Sequence, residues 1–174
     1  MDGLLILGAG GYGRTVAEAA RAMGGFDHIA FLDDRLKGED IRGRCVKAPE
    51  YREEFRCAYP AFGDNALRSD WFKRLERMGY ELPVLKHPRA YISPSARVAP
   101  GAVVLALAAV GTNTAISRGV IVNMGAIVDH DCTVAAFAHL APGSIVKAGN
   151  NIPARAKVDS GCVIERGTVF PKLG

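Results

Sequence analysis

The strongest pattern in the chain is a hydrophobic beat of six residues in its second half. Stepping by six from Ile92 gives Val98, Val104, Val110, Ile116, Val122, Val128, Val134, Leu140, Val146, Ile152, Val158, Ile164 and Phe170. All fourteen positions are Val, Ile, Leu or Phe, although these types supply only 45 of 174 residues. At about a quarter per position, chance gives such a run on the order of once in 10^8, so the repeat is real. Four places after each beat stands a small residue (Ala96, Ala102, Ala108, Thr114, Ala126, Cys132, Ala138, Ser144, Ala156, Cys162, Thr168), with Val120 and Asn150 bulkier. A large aliphatic points into a narrow core and a small residue turns the corner. Pro100-Gly101, Gly125, Pro142-Gly143 and Pro153 suit the backbone of such corners. Hexapeptide periodicity predicts a parallel β-helix with three short strands per coil. At about eighteen residues per coil, the stretch from 92 to 174 makes between four and five coils with no room for an inserted loop.

The first half has a different grammar. Leu4-Leu5-Ile6-Leu7 reads as a short buried strand, followed by Gly8-Ala9-Gly10-Gly11-Tyr12-Gly13 and a helical stretch over 14–23. A second strand over 28–32 ends at Asp33-Asp34. Strand, glycine turn, helix, strand and acid follow in the order of the GxGxxG nucleotide-binding fingerprint. Glycines let backbone N–H groups approach a diphosphate at the helix N-terminus, where the dipole favours anions. Gly8, Gly10, Gly11, Tyr12, Gly13, Asp33 and Asp34 are therefore candidate nucleotide-binding residues. The bland reading of the same glycines is helix-on-strand packing. Further on, Gly63-Asp64-Asn65 precedes a helix over 66–78, and Pro83-Val84-Leu85 reads as a short strand. Residues 1–86 make half of a dinucleotide-binding domain, which suits one nucleotide better than NAD. Residues 87–174 form the second domain.

Composition narrows the function classes. Hydrophobic residues make up 49% and charged residues 23%, a globular balance. The net charge of +4 hides an uneven spread: residues 1–91 carry 15 basic and 14 acidic residues, residues 92–174 only 7 and 4. Dense basic clusters with interleaved aromatics are missing, which argues against a nucleic-acid partner. The aliphatic run at 4–7 is too short for a signal-peptide core or a membrane span. Cys45, Cys57, Cys132 and Cys162 show no CxxC spacing, which argues against a zinc ribbon or a disulfide scaffold. A cytoplasmic protein with reduced thiols and no metal is the expectation. Within the repeat, polar residues cluster at Asp129-His130-Asp131-Cys132, and His139 follows nine residues after His130. His130 is the third residue of its hexad, where no core role exists. An adjacent carboxylate fixes a tautomer and supports positive charge, as a general base requires.

With these motifs the sequence resembles the bacterial sugar-nucleotide acetyltransferases of the left-handed β-helix superfamily, closest to the UDP-4-amino-sugar N-acetyltransferases and the sialic acid O-acetyltransferases. The resemblance rests on the glycine-rich module, Gly63-Asp64-Asn65, His87-Pro88, the segment from Asn123 through Cys132, and His139-Leu140-Ala141-Pro142-Gly143. It implies a Rossmann-like half-domain followed by a left-handed parallel β-helix. It also implies transfer of an acetyl group from acetyl-CoA, as co-substrate, to a sugar amine or hydroxyl. His130 would be the base, Asp131 would orient it, His139 would bind acetyl-CoA, and the glycine module would hold the nucleotide of the sugar. Acyl transfer from a thioester to an amine needs a base, a proton path and an oxyanion donor. Two departures stand out. Relatives carry histidine where this loop has Tyr12, which implies a different acceptor sugar. They also run on to a G-x-P-A signature, so the coenzyme A site here is trimmed or completed elsewhere.

Three other function classes compete. An NAD-dependent oxidoreductase follows from the fingerprint alone. A zinc carbonic anhydrase on the same β-helix needs three histidine ligands, and the repeat holds two. A non-catalytic scaffold would keep the fold without the chemistry. Nine residues correspond to about half a coil, so His130 and His139 of one chain point in nearly opposite directions. A site that uses both takes them from neighbouring subunits, and the resemblance makes the closed ring a homotrimer.

Overall fold

The computed structural model describes residues 2–170. The chain folds as two compact units, separated between Pro83 and Val84.

In the first unit, β1 (Asp2–Leu7), α1 (Gly11–Met23), β2 (Phe26–Leu32), β3 (Ile41–Gly43), β4 (Cys57–Pro60) and α2 (Asn65–Arg77) follow in order. The strands form one parallel sheet in the order β3-β2-β1-β4. Leu4, Leu5, Ile6 and Leu7 are all fully buried, as an unbroken apolar run in a central parallel strand should be. The buried residues of α1 include Gly13, Val16, Ala17 and Ala20, a helical stripe. The helix starts three residues before the sequence pattern suggests. Gly10 is extended and leaves α1 without a side-chain cap, so Gly11, Tyr12 and Gly13 already form its first turn. The Gly63-Asp64-Asn65 turn is a helix start: the Asp64 carboxylate accepts the Leu67 amide at 2.7 Å.

The second unit is a left-handed parallel β-helix of fourteen two-residue strands on three faces. The first face stacks β5 (Leu85–Lys86), β8 (Val103–Val104), β11 (Ile121–Val122), β14 (His139–Leu140) and β17 (Lys157–Val158). The second stacks β6 (Tyr91–Ile92), β9 (Ala109–Val110), β12 (Ile127–Val128), β15 (Ile145–Val146) and β18 (Val163–Ile164). The third stacks β7 (Arg97–Val98), β10 (Ala115–Ile116), β13 (Thr133–Val134) and β16 (Asn151–Ile152). Strands pair in register one coil apart, as in Val104, Val122, Leu140 and Val158. The six-residue beat and the small residues after it make one continuous core.

The helix begins one hexad earlier than the aliphatic beat. Leu85 and Lys86 pair with Val103 and Val104, so these residues belong to the β-helix and not to the first module. Lys86 occupies the inward column at the exposed end of the coil, where a lysine is tolerated and the hydrophobic pattern goes silent. The corners share one device: a residue with positive φ three places after each beat from Val98 to Ile164. Glycines such as Gly125 and Gly143 fill it in many coils, whereas Leu107, Asn113, Asp131, Phe137 and Arg155 adopt it without being glycine. Such residues cost roughly 1–2 kcal/mol each, so they flag positions held for another reason. No helix among the described residues is long and apolar enough to cross a membrane.

Candidate functional site

The glycine loop separates into two kinds of glycine. A Cβ on Gly13 would stand 1.9 Å from the Gly8 carbonyl oxygen, and Gly8 itself has φ +98°. These two are required by the fold. Gly10 and Gly11 are different: a Cβ at either meets nothing within 4 Å. The molecule itself makes no demand for glycine there, and both stand at the uncapped start of α1, whose first turn holds no acidic residue.

Ala9, inside the loop, is held at both ends. Its N–H donates to Asp33 at 2.7 Å, and its carbonyl accepts from Arg14 Nε at 3.3 Å. Asp33 also accepts the Arg35 and Leu36 amides at 2.8 Å. Burial would raise the Asp33 carboxyl, but the Leu36, Ala9 and Arg35 amides outweigh it and hold it below the ordinary value. Asp34 accepts the Cys45 amide at 3.0 Å. Both acids line two neighbouring cavities, one of about 410 Å³ bounded by the 33–44 segment and one of about 340 Å³ reaching Cys45 and Phe62. Asp33 is thus chiefly a brace of the loop. Tyr12 points elsewhere: its hydroxyl lies 3.0 Å from that of Tyr59. Burial, then Tyr59, raises its pKa well above the ordinary value. Beside the pair lies fully buried Arg68, whose guanidinium donates to the Phe62 carbonyl and to Asn65.

On the β-helix, His130 sits at the corner after β12. Its Nδ1 lies 2.7 Å from Asp131 Oδ2, and both side chains are about half exposed. The imidazole's hydrogen bond, then that of the Asn113 amide (3.2 Å), hold the Asp131 carboxyl below its ordinary range. A carboxylate that stays charged fixes the Nδ1–H tautomer and leaves Nε2 as the basic lone pair. The coil below braces this corner. Thr114 donates its hydroxyl to the Asp129 carbonyl at 2.7 Å and accepts the Cys132 amide at 3.2 Å. Gly111 lies directly against it: a Cβ there would be 2.8 Å from the Asp129 carbonyl carbon and 2.9 Å from His130 N. Asn113, Thr114 and Gly111 were absent from the sequence-derived site, yet each lies about one coil before its target. Stacking the sequence in rows of eighteen would have found them.

His139 lies on the first face, in β14, while His130 lies at the corner of the second and third. They are not brought together within one chain. His139 is buried, and its Nε2 is 3.2 Å from Asn123 Nδ2. The Asn123 amide is oriented by the Met124 N–H, which donates to Oδ1 at 2.8 Å. Nδ2 therefore faces the imidazole and donates, His139 Nε2 accepts, and the imidazole proton sits on Nδ1. Asn123 opens the segment that carries the family resemblance, but its residue type alone gave it no role. No three His, Cys, Asp or Glu side chains gather as a metal site among the described residues.

A glycine-loop Rossmann-like module, a hexapeptide β-helix and a carboxylate-backed histidine on one of its corners define an acyltransferase of the hexapeptide type. Comparison with known proteins agrees. The PglD N-terminal domain family matches residues 3–75. The acetyltransferase domain of PglB from Neisseria gonorrhoeae FA1090, solved with acetyl coenzyme A, is 37% identical with a TM-score of 0.87, covering 93% of this chain and 81% of that one. A mutant perosamine N-acetyltransferase from Caulobacter crescentus, solved with CoA and GDP-perosamine, is 30% identical with a TM-score of 0.88, covering 95% and 90%. WeeI from Acinetobacter baumannii AYE shares the fold at 21% identity and a TM-score of 0.83, covering 95% and 81%. The chain belongs to the bacterial sugar N-acetyltransferases that join a PglD-type N-terminal domain to a left-handed β-helix.

Proposed function

We propose that this protein transfers the acetyl group of acetyl-CoA to the amine of a nucleotide-linked amino sugar, with a UDP-linked 4-amino sugar as the first candidate from the sequence resemblance. The observation that carries the reading is the His130–Asp131 pair, with Nδ1 tied to the carboxylate at 2.7 Å and Nε2 left basic. The amine nitrogen attacks the thioester carbonyl carbon, His130 Nε2 takes the proton, the C–S bond breaks, and the proton passes to the departing thiolate. An amide and the free thiol of coenzyme A result. His139 suits a different task. With Nε2 engaged by Asn123 and Nδ1 enclosed within the chain, its imidazole is a fixed polar group and not a base, and the sequence resemblance is what assigns it to acetyl-CoA binding. Gly10 and Gly11 leave room for a diphosphate at the start of α1, and the 33–44 cavity is wide enough for a nucleoside.

The placement of the two histidines on different faces calls for a site shared between copies of the chain, and the sequence resemblance makes that assembly a homotrimer. The outward residues of the second face support it: Tyr91, Ala109, Ile127, Ile145 and Val163 are all apolar, and Tyr91, Ile127 and Val163 are 62%, 42% and 45% exposed. A contiguous apolar strip of this kind marks an interaction surface. Packed against a neighbouring copy, it would carry the His130 corner towards that copy. The test is kinetic. His130→Ala should lose roughly 10^2–10^4-fold in kcat with nearly unchanged substrate binding. A variant with near wild-type turnover would remove His130 from the mechanism.

A further inference from the structure

Arg14 joins three parts of the nucleotide module that the chain separates. Its Nε donates to the Ala9 carbonyl in the glycine loop at 3.3 Å. Its guanidinium forms a forked ion pair with Asp40, with Nη2 at 3.2 Å from Oδ1. The same plane stacks over the Phe31 ring of β2, 4.3 Å from its centroid. Asp40 in turn is fixed to β2, since its carbonyl accepts the Phe31 amide at 2.9 Å. Asp40 lies between Gly38 and Ile41, both of which line the 410 Å³ cavity.

From these contacts we infer that Arg14 is a positioning residue of the nucleotide site, a strap that sets the distance between the glycine loop and the cavity beside it. The inference rests on the proposed nucleotide reading and extends it to a residue that touches neither half of the ligand. A nucleoside diphosphate that places its phosphates at Gly10 and Gly11 and its nucleoside in the cavity spans two segments of chain. Asp33 ties them at one end, through Ala9 N–H. Arg14 ties them at the other, through the Ala9 carbonyl and Asp40. Stability is not the reason for the arrangement. Both side chains are about two-fifths exposed, and pairs of that kind contribute little to folding. What the fork supplies is geometry, because a planar guanidinium reaches two acceptors at fixed angles and a lysine ammonium does not.

The competing role for a cation beside a glycine loop is direct contact with phosphate, and Asp40 separates the two. In the strap, Arg14→Met and Asp40→Asn both loosen the loop, and each should weaken binding of the nucleoside diphosphate about tenfold. For direct contact, Asp40→Asn frees the guanidinium and removes a nearby negative charge, so binding should stay constant or tighten. The experiment is calorimetric titration of the full chain and these variants with UDP and GDP, with acetyl-CoA as a second titrant. Arg14→Lys tests the fork: it keeps the charge and should still bind severalfold more weakly. In turnover assays the loss should appear in KM for the nucleotide sugar, with kcat and KM for acetyl-CoA nearly unchanged. Wild-type protein that binds neither diphosphate would overturn the nucleotide reading itself. Binding by the wild type with unchanged or tighter binding by Asp40→Asn would overturn the strap alone.

Discussion

Among single residues, Gly10 and Gly13 belong to one motif and do unrelated work. A methyl group on Gly13 collides with the Gly8 carbonyl, so helix and strand would have to part. Gly13→Ala should cost about 3 kcal/mol, the upper end for overpacking, and lower the thermal midpoint accordingly. Gly10→Ala meets open space in an extended conformation, so its folding cost should stay below about 1 kcal/mol. It should nevertheless weaken nucleotide-sugar binding at least tenfold, because the Cβ stands where the phosphates would approach. Thermal melts beside calorimetric titrations read both effects. A Gly10→Ala protein that binds normally would reduce the motif to packing. His130 shows the same separation from the other side: its exposure excludes a core role, and its partner Asp131 is what supports the proposed role as base.

Between elements, a brace from one segment repeatedly sets the geometry of another. The end of β2 holds the glycine loop through Asp33, whose folded pKa lies below its unfolded value. The unfolded chain therefore binds more protons through this range, and the contribution of Asp33 is full above the ordinary carboxylate value of about 4. It is lost as pH falls through the lowered folded value. Urea midpoints measured between about pH 6 and pH 3 should fall less steeply for Asp33→Asn than for the wild type. Identical slopes would mean that the three amide bonds to Asp33 do not favour its charged form. On the β-helix the equivalent brace is one coil deep, with Thr114, Asn113 and Gly111 beneath the His130 corner. A repeat makes this easy, because each corner is stacked on its predecessor at constant separation.

At the level of assembly, the three faces of the β-helix differ in what they show to the outside. The third face presents Arg97, Ala115, Thr133 and Asn151, a mostly polar strip. The second presents only apolar side chains. If that face joins copies of the chain, Ile127→Arg should leave each coil intact, since Ile127 points outward and is already 42% exposed. It should convert a species of about three times 18.5 kDa into one of 18.5 kDa in sedimentation, and abolish most of the acetyl transfer. A variant that remains trimeric and active would place the subunit contact on another face. Leu107, 62% exposed at the edge of that face in a left-handed conformation, would be covered by the same contact.

Hydrophobic periodicity was enough to dictate the architecture, because a beat of six repeated fourteen times admits one solution: each large aliphatic must find a core, and only stacked three-sided coils bury all of them. The order strand, glycine turn, helix, strand and acid was equally legible. So was His130 with Asp131, whose adjacency along the chain survives folding as a direct hydrogen bond. Whatever depends on neighbours far along the chain was settled only by folding. Pairing with Val103 moved Leu85 into the β-helix, a contact that Lys86 concealed from any hydrophobic pattern. Tyr12 turned towards Tyr59 instead of staying at the loop surface, because an aromatic ring at the first turn of α1 gains more from burial than from water. And the tautomer of His139 was set through Asn123, sixteen residues away, since only stacked coils bring that amide beside that imidazole.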